Sequence, residues 1–268
     1  MLSLASLELD TSTTVKKITS FIRQQIKISG LKGAVVSVSG GIDSSVVLNL
    51  ATMALGPENV RALTLPMRDI TPESDITDVM RLAEMLDVTC DTIYITPAIR
   101  VMRDIIPLYD HSNKVSAGNL MARTRMVIAY YYANALRSLV VGCSNKTEWM
   151  TGYFTKYGDG AVDIMPIADL YKNQVGQLAR HLGIPESIIK KVPTAGLWPG
   201  QSDEEDLGVK YDTLDLILYG MEQGMAEEEI ASSLGVDIDM VRMIRDRVRA
   251  NEHKRRLPLI LRLSSASG

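Results

Sequence analysis

The chain has 268 residues, 46% of them hydrophobic and 23% charged, which is soluble globular composition with room for one large α/β domain or two small ones. Its 29 Lys and Arg against 32 Asp and Glu give a net charge of −3, which argues against a nucleic-acid partner held by bulk charge. No apolar run approaches the ~18 residues of a membrane span, the N-terminus does not read as a signal peptide, and Cys90 and Cys143 are too few for a disulfide scaffold, so the expectation is a reduced, cytoplasmic protein without a membrane partner.

In chain order, Ala34 to Val38 is a short β-branched run ending in Ser39-Gly40-Gly41, and helical sequence follows from Ser44 to Ala54. Val60 to Met67 reads as a second strand, and Thr71-Pro72 then supplies an N-cap and a Pro at the first position of a helix reaching about Leu86. Cys90 to Ile95 is a third strand. Gly118 to Leu136 is a long helix, apolar all round and therefore buried on more than one side. Ser138 to Gly142 is a fourth strand and Ala161 to Pro166 a candidate fifth. Strand, crossover helix, strand is the pattern of a parallel sheet covered on both faces. The fold expected is α/β, a doubly wound parallel five-stranded sheet followed by a C-terminal helical hairpin. Ser264 to Gly268 read as a frayed tail.

The central motif is Ser37-Val38-Ser39-Gly40-Gly41-Ile42-Asp43-Ser44, between a buried strand and a helix start. Glycines there let the backbone approach an anion. Free N–H groups of the helix start and the hydroxyls of Ser39 and Ser44 can donate to phosphate, and Asp43 is a hard oxygen ligand suited to Mg²⁺. Neither a Walker A sequence nor a dinucleotide fingerprint is present. A lone Gly-Gly would be an ordinary strand-to-helix turn; the whole string in this context reads as a phosphate loop.

This string resembles the pyrophosphate loop of the N-type ATP pyrophosphatases, enzymes that split ATP between the α- and β-phosphates. Five further segments resemble the ammonia-dependent NAD synthetase family, in that family's order: 118–126 (GNLMARTRM), 142–148 (GCSNKTE), 152–160 (GYFTKYGDG), 169–172 (DLYK) and 193–204 (PTAGLWPGQSDE). The resemblance runs from about Val15 to Pro258. It implies an adenine nucleotide alpha hydrolase-like core over 14–200, a lid and C-terminal helices over 201–260, a tail over 261–268, and no glutaminase domain. It implies ATP contacts at residues 37–44 and at Cys143, Lys172 and Thr194, Mg²⁺ between Asp43 and Glu148, and deamido-NAD⁺ contacts at Arg123, Lys156, Asp163, His253 and Lys254. Lys172 would stabilise the α-phosphoryl transition state, and Asp163 is the candidate base for ammonium. The family is a homodimer with the deamido-NAD⁺ site at the subunit interface, and Met126 to Leu136 is the segment placed there. Free ammonia or a separate amidotransferase would supply nitrogen.

Taken alone, several of these residues read more plainly. Arg125 fits a solvated helix face, Glu148 a helix-start carboxylate, and Lys172 a surface lysine. The family usually has Thr where this chain has Cys143, and a thiol is the weaker donor. A Cys143 nucleophile is not expected, because no His lies near it in sequence. Glu227 to Val248 fits a helix-turn-helix pattern, and Arg242 to Arg256 holds seven Lys/Arg against two acids, so DNA binding is the rival from another class. The nearer rival is another ATP pyrophosphatase with a different acceptor, GMP-synthetase-like or tRNA-modifying.

Overall fold

A computed structural model describes residues 2–261; the expected frayed tail lies outside the described residues. Helix α1 (Thr11–Ser29) is capped by the Asp10 carboxylate, which accepts from Thr13 N–H. It leads into β1 (Gly33–Ser37), α2 (Ile42–Leu55), β2 (Val60–Thr64), α3 (Glu73–Met85) and β3 (Thr89–Thr92). Next come α4 (Thr96–Ile105), the long α5 (Lys114–Leu136) and β4 (Ser138–Val141). The four strands lie in the order β3-β2-β1-β4, all parallel. Alternate residues of β1 face opposite layers, as the pleat requires. Ala34 and Val36 join the apolar cluster of α1 and α2, and Val35 joins that of α4 and α5.

The sheet has four strands where the sequence suggested five. Residues 161–166 do run beside β4, but they pair with it only at a parallel bridge between Val141 and Ile164. Asp163 is the reason. Its Oδ2 accepts from Val140 N–H at 2.7 Å, so a side chain takes the place that a neighbouring strand's carbonyl would fill. Pro166 then has no N–H to extend the pairing.

Beyond β4 come α6 (Lys146–Thr151), α7 (Lys172–His181), α8 (Glu186–Ile189), α9 (Asp203–Leu207), α10 (Tyr211–Glu222), α11 (Glu227–Leu234) and α12 (Ile238–Ala250). Helix α7 packs on α2 and completes the first layer, whereas α10 to α12 build a separate cluster around Leu214, Ile217, Ile230, Val241 and Ile244. Gly235, with φ of +66°, ends α11 in the left-handed conformation and turns the chain into α12. After β1 the chain winds to β2 and β3, then returns to place β4 on β1's other side. The carboxyl ends of β1 and β4 therefore flank a topological switch point, where ligands of open α/β sheets bind.

Candidate active site

A cleft of about 920 Å³ opens at that switch point. Residues 37–44 line one wall. Gly41 is the N-cap of α2, and its carbonyl accepts from the hydroxyls of Ser44 and Ser45 at 3.1 and 2.8 Å. Ser39 N–H donates to Ser44 Oγ at 3.2 Å, which closes the loop on itself. Gly40 has φ of +83°, and a Cβ there would stand 2.9 Å from the Asp75 carbonyl oxygen, so only glycine fits. The loop thus presents helix-start N–H groups to the cleft in the manner of a phosphate site.

Three charged side chains meet beside it. Lys172, the first residue of α7, places Nζ 2.5 Å from Asp43 Oδ2 and 3.8 Å from Glu148 Oε1. Asn145 assembles the carboxylates. Its Oδ1 accepts from Glu148 N–H and Glu148 Oε2 accepts from Asn145 N–H, a reciprocal cap on α6, while Asn145 Nδ2 donates to Asp43 Oδ1 at 2.9 Å. Burial raises the Glu148 carboxyl well above its ordinary range, and the Asp43 charge adds to this against the pull of Lys172. Burial alone would depress the Lys172 ammonium, but Asp43 and Glu148 outweigh it and hold it above the usual lysine range. The site is a cation clamped between two acids, next to the glycine-rich loop of residues 37–44.

A family model described as NAD synthase matches residues 14–258. The chain belongs to the NAD synthase family. An NH₃-dependent NAD⁺ synthetase of Methanococcoides burtonii is 46% identical over 94% of this chain and 95% of its own. An NMN synthetase structure from Francisella tularensis superposes with a TM-score of 0.84 at 34% identity, covering 95% of this chain and 99% of that one. An NH₃-dependent NAD synthetase of Campylobacter jejuni, in complex with nitrate, gives 0.80 at 32% identity, covering 95% and 100%.

With the family in hand, the remaining expected residues separate into two groups. Cys143, Thr194 and Lys254 line the cleft with residues 37–44, Glu148 and Lys172. Cys143 Sγ lies 3.7 Å from the Ser37 carbonyl, and burial with nearby Asp43 and Glu148 pushes its thiol far up, so it is no thiolate nucleophile. Thr194 sits in the loop of residues 193–202, where its Oγ1 accepts from Gly196 N–H. Lys254 Nζ donates to the Gly152 and Phe154 carbonyls at 2.6 and 3.0 Å.

Arg123, Lys156, Asp163 and His253 do not line the cleft. Arg123 donates through Nε and a terminal nitrogen to the Lys156 carbonyl. Asp163 accepts from Tyr130 O–H as well as from Val140 N–H. Both carboxylate oxygens of Asp163 are therefore engaged, one by a side chain and one by the backbone of β4. Arg123 and Tyr130 are two turns apart on α5, so Arg123, Lys156 and Asp163 gather along one exposed face of that helix.

Some cleft residues are not apparent from sequence. Arg125, which fitted a solvated helix face, instead lines the cleft and donates from Nε to the Leu65 carbonyl at 3.0 Å. Asp203 is 4% exposed and accepts from the hydroxyls of Tyr153 and Tyr211. Lys191 lines the cleft next to the glycine-rich loop, reaching the Gly40 carbonyl and both Asp75 and Asp78. Only Asn145 and Asp203 carried a readable signal: the N-x-x-E spacing of a capping box and the acidic end of 193–204. Four arginines of the basic stretch at 242–256 make contacts within the chain. Arg242 and Arg245 pair with Glu227, Arg247 donates to the carbonyls of Asp206 and Leu207, and Arg255 to those of Trp149 and Met150.

Proposed function

We propose that the protein amidates the nicotinate carboxylate of deamido-NAD⁺ with ammonia, using ATP and yielding NAD⁺, AMP and pyrophosphate. The observation that carries this reading is the meeting, in one cleft of an NAD synthase family chain, of the phosphate loop with Lys172 held between Asp43 and Glu148. A free carboxylate is a poor acyl donor because oxide is a bad leaving group, and AMP is a good one. In the first step a carboxylate oxygen attacks the α-phosphorus, the bond to the bridging oxygen breaks, and pyrophosphate leaves. In the second, ammonia attacks the activated carbonyl carbon, AMP departs with the carboxylate oxygen, and the nitrogen loses a proton. The loop N–H groups hold the β,γ-phosphates, and Lys172 offsets the charge that builds at the α-phosphoryl group. The loop of residues 193–202 closes over the cleft to exclude water. Asp43 and Glu148 are hard oxygen donors of the kind Mg²⁺ takes, with phosphate oxygens to complete its shell. When bound there, Mg²⁺ would neutralise charge on the leaving pyrophosphate.

The nicotinate-bearing substrate is assigned to Arg123, Lys156 and Asp163 on the α5 face, with His253 and Lys254 at the C-terminal segment. A second copy of the chain covers that face, where Val127 and Tyr131 are 60% and 73% exposed. The reaction takes place in the cytoplasm, with free ammonia or a separate amidotransferase as the nitrogen source.

The similarity to an NMN synthetase supports a second acceptor, nicotinate mononucleotide, which carries the same carboxylate without the adenylyl half. Mass spectrometry of products decides between them. Purified protein is mixed with ATP, Mg²⁺ and ammonium or glutamine, with deamido-NAD⁺ or nicotinate mononucleotide as acceptor. NAD⁺ with equal AMP and pyrophosphate, from ammonium and not from glutamine, is expected. Turnover of the mononucleotide alone would transfer the assignment to NMN synthesis, and no amide from either acceptor would refute both.

A further inference from the structure

Behind the charged triad lies a carboxylate that the reaction does not use. Asp215 on α10 is 0% exposed. Its Oδ1 accepts from the Thr147 hydroxyl at 2.5 Å, and its Oδ2 from Asn173 N–H at 2.8 Å and Asn173 Nδ2 at 3.0 Å. Thr147, also 0% exposed, accepts at its Oγ1 from Lys172 N–H at 3.1 Å. Thr147 directly precedes Glu148 in α6, and Asn173 directly follows Lys172 in α7. Asp215 and Thr147 do not line the cleft.

Helix starts leave backbone N–H groups without partners. Here the first two N–H groups of α7 are met by a hydroxyl from α6 and a carboxylate from α10. The same hydroxyl donates to that carboxylate, so the starts of α6 and α7 are fastened to one buried point. Those two starts carry Glu148 and Lys172, whose Oε1–Nζ separation of 3.8 Å depends on how α6 and α7 sit against each other. A residue one position away on a rigid helix moves with its neighbour.

We propose that Asp215 and Thr147 are positioning residues that fix Lys172 relative to Glu148 from outside the cleft, so that the C-terminal helical layer sets the geometry of phosphoryl activation. This rests on the reading of Lys172 as the group that offsets charge at the α-phosphoryl. A bond that merely attached the layer would affect stability alone. A positioning bond acts on kcat in molecules that remain folded, because reacting groups misplaced by a fraction of an ångström react more slowly.

Thr147→Val removes the hydroxyl at nearly constant shape, and Thr147→Ser restores it. Pyrophosphate release from ATP with deamido-NAD⁺ and ammonium is measured per folded molecule, well below the melting temperature of each variant. Thr147→Val is expected to lower kcat about tenfold with the KM for ATP changed less than about twofold, and Thr147→Ser to recover most of the loss. Should the valine prevent folding, Thr147→Ala, which leaves space in place of a methyl group, reads the same split. A valine or alanine variant with a lower melting temperature and wild-type kcat would overturn the proposal. Lys172→Ala is run in parallel. If it too keeps wild-type kcat, the reading of Lys172 has failed; if it loses activity while the Thr147 variants do not, the positioning role alone has failed.

Discussion

Lys172→Met keeps most of the lysine stem and removes its charge, which makes it the sharpest probe of the cleft. Nζ sits 2.5 Å from Asp43 and 3.8 Å from Glu148, and the three side chains are 11%, 15% and 16% exposed. At an effective dielectric of about 20, the first contact is worth roughly 6–7 kcal/mol of Coulomb attraction and the second roughly 4 kcal/mol. Desolvation offsets much of that, and removing one partner of a buried pair costs about 3–5 kcal/mol net. Two buried carboxylates then face each other without a cation. The Glu148 carboxyl, already raised by burial and by Asp43, should rise further. A carboxyl with a raised folded pKa binds more protons folded than unfolded, so the variant should lose stability as pH rises and recover it on acidification. Mg²⁺ at millimolar levels should also stabilise the variant more than the wild type, because it takes the place of the missing ammonium. Urea unfolding followed by circular dichroism, across pH and with and without Mg²⁺, measures all three effects. Pyrophosphate release should fall about 10²–10³-fold in the same variant. Stability within about 0.5 kcal/mol of wild type, with no response to Mg²⁺, would refute the reasoning that Lys172 is the counter-ion of the pair.

Asp43→Asn should abolish Mg²⁺-dependent pyrophosphate release while leaving the Asn145 contact able to re-form through the amide; a near-normal rate would remove Asp43 from the metal site. Lys156→Ala should raise the KM for deamido-NAD⁺ several-fold more than that for ATP, since Lys156 lies outside the cleft; equal effects in steady-state kinetics would break the assignment. Cys143 should alkylate far more slowly in the native protein than in urea at pH 8, because its raised pKa keeps the thiol neutral through the range where ordinary cysteines ionise. Rapid native labelling, located by peptide mass spectrometry, would contradict the packing of that side chain against Ser37.

The strand-to-helix turn at 37–44 was legible because its physics is local: a buried strand, two glycines and hydroxyls that bond back to the loop. The parallel sheet was legible for the same reason, as short strand-like runs separated by helical stretches. The fifth strand was not, because nothing in 161–166 announces that the Asp163 carboxylate, and not a backbone carbonyl, meets Val140 N–H. Arg125 was misjudged because its partner, the Leu65 carbonyl, lies 60 positions away. In the basic C-terminal stretch the charge run is visible in sequence, whereas the distant carbonyls and Glu227 that its arginines contact are not. The acceptor was written in segments such as 152–160, which without the family resemblance read as a surface turn and which the structure instead folds against the cleft, closed by the bond from Thr155 N–H to Asp159.

The central claim is that the carboxylate is activated by adenylation within the cleft, and the fate of one oxygen atom tests it most directly. Deamido-NAD⁺ carrying heavy oxygen in its nicotinate carboxylate is turned over with ATP and ammonium, and the products are weighed. The account predicts one labelled oxygen in AMP and none in pyrophosphate. Label in pyrophosphate or inorganic phosphate, or ADP as the nucleotide product, would contradict attack at the α-phosphorus and with it the roles given to the phosphate loop, Asp43 and Lys172.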